Sequence, residues 1–169
     1  LTTTANGLRQ LVLVDGDIRR GELHRMFGTD RRPGLLDYLQ GEATLEQIVR
    51  PSNQPGLWVI PCGTRRQHGP ELLGSGAMQQ LLDQLQQRFN AVFVDSPPLG
   101  AGVDPFVLGA ATGNLLLVVR SGETDRHLAE AKLGLVDRLP IRVVGAVLND
   151  VRATGAYRYY RYLYGYTSE

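Results

Sequence analysis

Five short apolar runs punctuate the chain: LVLV at 11–14, LWVIP at 57–61, AVFV at 91–94, LLLVV at 115–119 and VVGAVL at 143–148. Each is nearly continuous rather than alternating, the pattern of strands covered on both faces in a parallel sheet. Helical periods lie between them. Over 78–89, Met78, Leu81, Leu82, Leu85 and Phe89 recur at helical spacing, and over 124–139 Leu128, Ala131, Leu135, Val136 and Leu139 do the same. All of these positions are expected to be core. The alternation predicts an α/β fold with a mostly parallel sheet, helices on both faces and right-handed crossovers. Ligands of such sheets gather beyond the C-terminal ends of the strands. Chemistry is therefore sought after LVLV, AVFV and VVGAVL.

The alternation stops near residue 151. Beyond it, six of the seven tyrosines fall within 157–166, as Tyr157, Tyr159, Tyr160, Tyr162, Tyr164 and Tyr166. No internal repeat is visible. Residues 1–150 read as one domain and 151–169 as a tail. A length of 169 residues with 43% hydrophobic residues suits one well-packed domain. The net charge of +1 gives no global reason to expect nucleic acid. No run approaches the roughly 20 apolar residues that span a bilayer, and LTTTANGLRQ lacks the plan of a secretory signal. A single cysteine, Cys62, cannot form an internal disulfide and reads as a small buried hydrophobe after a strand. His24, His68 and His127 have no metal-ligand spacing. Arg65 and Arg66 read as a solvated loop that borders, at most, a subunit interface.

The candidate chemistry sits in two strand-end motifs. LVLV is followed by Asp15-Gly16-Asp17-Ile18-Arg19, and AVFV by Asp95-Ser96-Pro97-Pro98. A carboxylate directly after a buried strand is held rigidly at the mouth of the sheet. Two such strands side by side would bring three carboxylates together where a hard, oxygen-seeking cation can sit. Pro97 and Pro98 delay the next helix and fix the loop. Taken singly, each aspartate could equally cap a helix or a turn.

The pattern resembles the bacterial tyrosine kinases of capsule and exopolysaccharide systems, P-loop proteins related to the deviant-Walker ATPases. In that family an apolar run followed by D-x-D-x-R is the second nucleotide motif, here LVLV with Asp15 to Arg19, and an apolar run with D-x-x-P is the Walker B motif, here AVFV with Asp95 to Pro98. The likeness continues through RRGELHRMFG, GLLDYLQGEATLEQIV, IPCGTRRQHGPELLGS and GAVLNDV to the tail, and so covers essentially the whole chain. It implies a P-loop NTPase-like fold and use of ATP with Mg2+. Asp17 and Asp95 would position the metal, and Asp15 would take the proton from an incoming tyrosine. Arg19 would order the motif, against the alternative of a surface arginine. Asn149 would face the adenine, against the alternative of a turn asparagine. The tail tyrosines would be phosphoacceptors. Each phosphate adds roughly −1.5 to −2 charges, so a fully modified tail would gain on the order of −9 to −12 and repel itself. Stacking on single-stranded nucleic acid or settling at a membrane interface are the other readings of interleaved Tyr and Arg.

The resemblance also implies partners: a homo-oligomeric ring, an octamer being one candidate size, a membrane-spanning activator or polysaccharide co-polymerase, fused or separate, and a tyrosine phosphatase. The place implied is the cytoplasmic face of the bacterial inner membrane. One departure stands out. No G-x-x-x-x-G-K-[ST] string is present. Thr2-Thr3-Thr4 looks like the residues that follow that loop's lysine, so Thr2 or Thr3 would supply a hydroxyl to the metal and nucleotide. Only about four residues then separate this segment from LVLV, too few for the roughly three turns of a typical helix. The expectation is that residues upstream of Leu1 and between Asn6 and Gly7 are omitted. The rival functional readings are a same-fold ATPase switch without tyrosine transfer and a catalytically dead scaffold.

Overall fold

A computed structural model of the chain describes residues 9–151. The apolar run at 11–14 becomes β1 (Leu11–Asp15), which lies between two parallel neighbours, β3 (Leu57–Ile60) and β4 (Ala91–Asp95). A two-residue strand, β2 (Arg50–Pro51), adds antiparallel to β3 and ends the sheet. Short helices α1 (Leu23–Met26), α2 (Leu35–Leu39) and α3 (Leu45–Ile48) fill the connection from β1 to β2. Helices α4 (Gly69–Leu73) and α5 (Gly76–Arg88) carry the chain from β3 to β4.

Val12 and Val14 are fully buried and anchor the core, with Leu35 and Leu36 from α2 and Met78, Leu81, Leu82 and Leu85 from α5. The periodicity expected over 78–89 is therefore realised. Ser75 starts the helix by accepting the Met78 amide on its side chain at 3.4 Å, the usual N-cap arrangement. Phe89 ends it, packed beside Trp58 with ring centroids 6.2 Å apart.

The second half departs from the expectation of one continuous, doubly covered sheet. Helix α6 (Asp104–Thr112) leads into β5 (Asn114–Arg120), α7 (Arg126–Val136) and β6 (Arg142–Asn149). Strands β5 and β6 pair in parallel with each other, but form a ladder separate from the first four strands. Leu116, Val118, Val144 and Val147 are accordingly exposed. In α7 only Val136 is buried, while Leu128 and Leu135, and Leu139 beyond the helix, are open to solvent. Ala131 is exposed as well. The core assignment over 124–139 is thus corrected. A slot of about 1170 Å3 runs between β4 and β5, lined by Phe93, Asp95, Leu108, Leu115, Leu117 and Leu128 among others. An apolar helical face is buried only where a neighbouring layer closes against it, and across this slot the two ladders do not close. Among the described residues, no helix is long and apolar enough to cross a membrane.

Candidate active site

The register of β1 against β4 decides the site. Asp15 and Asp95 are direct partners in that parallel pair, so both strands end level and present their carboxylates on the same rim. Gly16 pins the two motifs together: its N–H donates to the Asp95 carbonyl at 2.9 Å. A Cβ on Gly16 would come within 2.5 Å of that oxygen. The backbones meet closely because this position has no side chain.

Asp15 is fully buried. Its Oδ2 accepts the Leu23 amide at 3.2 Å, while Oδ1 is buried with no partner among the described residues. Burial pushes its pKa from 3.8 to about 6, the Leu23 hydrogen bond pulls it down, and the nearby Asp95 and Asp17 push it up again. Arg31, whose Nε donates to the Gly63 carbonyl at 2.9 Å, lowers it slightly. Asp95 is exposed at the strand end, yet the protein crowded around its carboxyl and the charge of Asp17 hold its pKa above the ordinary value. A carboxyl raised by burial and by like-charge neighbours is what a nearby cation relieves.

Asp17 uses Oδ1 to accept the Arg19 and Arg20 amides at 3.1 and 2.9 Å, closing a tight turn. The Arg19 guanidinium donates through Nε to Asp104 Oδ2 at 2.8 Å. The Arg19 side chain is thus paired although it is largely exposed. Asp104 and Arg31 escaped the motif reading because neither stands at a fixed spacing from a strand end. The sequence signal for Asp104 was only an acid preceding Pro105.

Among the described residues, no three His, Cys, Asp or Glu side chains form a ready-made metal cage. Magnesium needs none, since it usually keeps several waters and takes one or two carboxylates beside phosphate oxygens. The raised carboxyl of Asp95, with the charge of Asp17 close by, fits such an ion. Asn149 stands elsewhere, at the end of β6 on the other ladder. Its side-chain oxygen accepts the Asp150 amide at 2.9 Å. Thr2, Thr3 and the tyrosines of 157–166 lie outside the described residues. Cys62 is buried as expected, with burial lifting its thiol to about 11. Arg66 is not simply solvated: it is half-buried and pairs with Glu42 and, at 3.8 Å, with Asp37.

Solved structures place this geometry in a class. The kinase domain of the Escherichia coli tyrosine kinase ETK superposes with a TM-score of 0.81 at 32% identity, covering 88% of this chain and 59% of that one. The BceF tyrosine kinase domain gives 0.78 at 33%, covering 88% and 59%. The cell-division ATPase MinD of Pyrococcus furiosus gives 0.68 at 22%, covering 83% and 59%, a likeness of fold alone. The chain thus has the mostly parallel α/β fold of P-loop nucleotide-binding proteins.

Within that class its relatives are bacterial tyrosine-protein kinases, of whose kinase domain this chain is a homologue. The tyrosine-protein kinase ptk of Acinetobacter johnsonii is 34% identical over 155 residues, 92% of this chain and 21% of the relative. The putative tyrosine-protein kinase EpsB of Ralstonia nicotianae is 36% identical over 174 residues, 98% of this chain and 23% of the relative. The chain spans about a fifth of the length of these curated relatives. No protein-family profile matches it.

Proposed function

We propose that these residues belong to the catalytic domain of an ATP- and Mg2+-dependent protein-tyrosine autokinase that modifies its own C-terminal tyrosines. The observation that carries this reading is the in-register pairing of Asp15 with Asp95 and the burial of Asp15. A tyrosine hydroxyl has an unperturbed pKa near 10. A carboxylate that is ionised at neutral pH, yet has an unpartnered oxygen, can accept its proton as the phenol oxygen attacks the γ-phosphorus and ADP departs. Asp17 and Asp95 would hold Mg2+, which neutralises phosphate charge. Thr2 or Thr3 would contribute a hydroxyl.

The described residues supply no phosphate-cradling loop. On this reading that segment belongs to a further strand in the slot between β4 and β5, beside Asp95. Two parallel edges facing one another would both be satisfied by a single extended segment. Asn149 is kept as an adenine contact only if its side chain leaves the Asp150 amide. The tail of one subunit would enter a neighbour's site within a ring, and accumulated phosphate would loosen that ring by repulsion. As the family resemblance of the sequence implies, the ring would work with a membrane-spanning polysaccharide co-polymerase at the cytoplasmic face of the inner membrane, opposed by a tyrosine phosphatase.

The test uses protein expressed from its intact gene, incubated with ATP and magnesium and probed for phosphotyrosine. Phosphotyrosine within 157–166, lost when all six tyrosines become phenylalanine, supports the proposal. Phosphate release without phosphotyrosine would identify an ATPase switch. Neither signal would leave a scaffold.

A further inference from the structure

We propose that Asp104, outside both nucleotide motifs, is a positioning residue that holds the Asp17-bearing loop in place through Arg19. The role assigned to that loop rests on the function proposed above. The contact itself does not.

Asp104 is fully buried at the start of α6, whereas the Arg19 side chain is 53% exposed. A carboxylate is not taken out of water without a partner. The bland explanation is a helix-start acid that caps the first amides. Yet α6 has no side-chain cap hydrogen bond, and the helix opens with Pro105 directly after Asp104. The hydrogen bond of Asp104 goes instead to Arg19 Nε, at 2.8 Å across 85 positions of sequence. Its second oxygen is buried and has no partner among the described residues, so Arg19 is the contact that compensates this charge.

The same loop receives the rest of the guanidinium. Gly102 adopts φ +127°, and a Cβ there would sit 3.3 Å from an Arg19 terminal nitrogen. Bare backbone at 102 and a carboxylate at 104 thus form a seat for one arginine. Arg19 is in turn the residue whose amide Asp17 accepts, and its carbonyl accepts Arg65 at 2.8 Å. The loop after β1 is therefore tied twice, by Gly16 to the Asp95 carbonyl at the end of β4 and by Arg19 to Asp104 in the segment that follows. The first tie fixes where the loop begins. The second fixes the turn that aims Asp17, and so the separation of Asp17 from Asp95.

Amide hydrogen exchange on nucleotide-free protein in a chelator tests this without reference to kinase activity. In Asp104→Ala the Arg19 and Arg20 amides should exchange about tenfold faster, the loss of one charge-assisted hydrogen bond behind them, with Val12 and Val14 unchanged. Asp104→Asn keeps an oxygen to accept Arg19 and should lie between wild type and Asp104→Ala. The magnesium concentration needed for half-maximal binding of a fluorescent ATP analogue should rise in the same order. Equal acceleration in β1 and in the loop would mean a general packing role and overturn the proposal, as would wild-type exchange at Arg19 and Arg20. If Asp104→Ala does not fold, Asp104→Asn carries both readouts under the same criteria. A positive exchange result with no phosphotyrosine in any variant would retain the positioning role and reject the kinase reading.

Discussion

Replacing Asp15 by asparagine removes a carboxylate that the fold keeps ionised at neutral pH against its own burial. Its pKa stands at about 6 rather than 3.8, chiefly from burial. At about 1.36 kcal/mol per pH unit, that difference makes the ionised group cost about 3 kcal/mol of stability. The sign follows from the raised value. Below the unfolded-state pKa both states hold the proton and no cost exists. As pH rises through the window from about 4 to about 6, the unfolded chain releases its proton first, and stability falls. Asparagine never ionises, and its oxygen can still accept the Leu23 amide. Its amide nitrogen would take the place of the orphaned Oδ1 and lack an acceptor, a penalty of about 1 kcal/mol. The expected net effect, in urea denaturation of metal-free protein with chelator, is a gain of about 2 kcal/mol at pH 8. That gain should shrink to nothing or reverse near pH 4, while phosphotyrosine formation is lost at every pH. A variant less stable than wild type at pH 8, or a difference that does not change with pH, would refute the assignment of Asp15 as a strained, ionised carboxylate.

Other outcomes follow from the packing. Leu85 is fully buried on the inner face of α5, so Leu85→Ala should cost about 2–5 kcal/mol in thermal or urea denaturation. A cost near zero would mean that α5 is not seated on the sheet as described. Ser75→Ala removes the cap at the start of the same helix and should cost about 1 kcal/mol, with unchanged far-ultraviolet circular dichroism after refolding. The Cys62 thiol, raised to about 11 by burial and by Asp15, should resist an aromatic disulfide reagent at pH 8 until urea unfolds the chain. Rapid labelling of native protein would contradict its place beneath the loop.

The β-strands were legible because their signal is local. An unbroken apolar run of four or five residues bounded by polar or turn residues has few other uses, and all five runs became strands. Aspartates at two strand ends were legible for the same reason, since position relative to a strand is written in the sequence. The setting of Arg19 was half legible: its place after the strand is local, but its partner lies 85 positions away and no local rule connects them. Readings failed where burial depended on a neighbour, as they did for the exposed faces of β5 and β6. Leu128 and Leu135 keep a helical period, yet remain exposed because α7 borders a slot rather than a closed layer. Arg66 read as solvated because sequence reveals neither Glu42 nor Asp37 beside it.

The sequence by itself determined the class of fold, five of its strands, two of its helices and the two carboxylate motifs, because each rests on periodicity or on a step of a few residues. Only the tertiary structure decided that Asp15 faces Asp95 in register, that Gly16 brings the backbones into contact, and that Asp104 is buried against an arginine half the chain away. It also decided that the sheet is divided by a slot. The reason is physical: periodicity determines which face of an element is apolar, but burial, pKa and pairing depend on which other element arrives to cover that face.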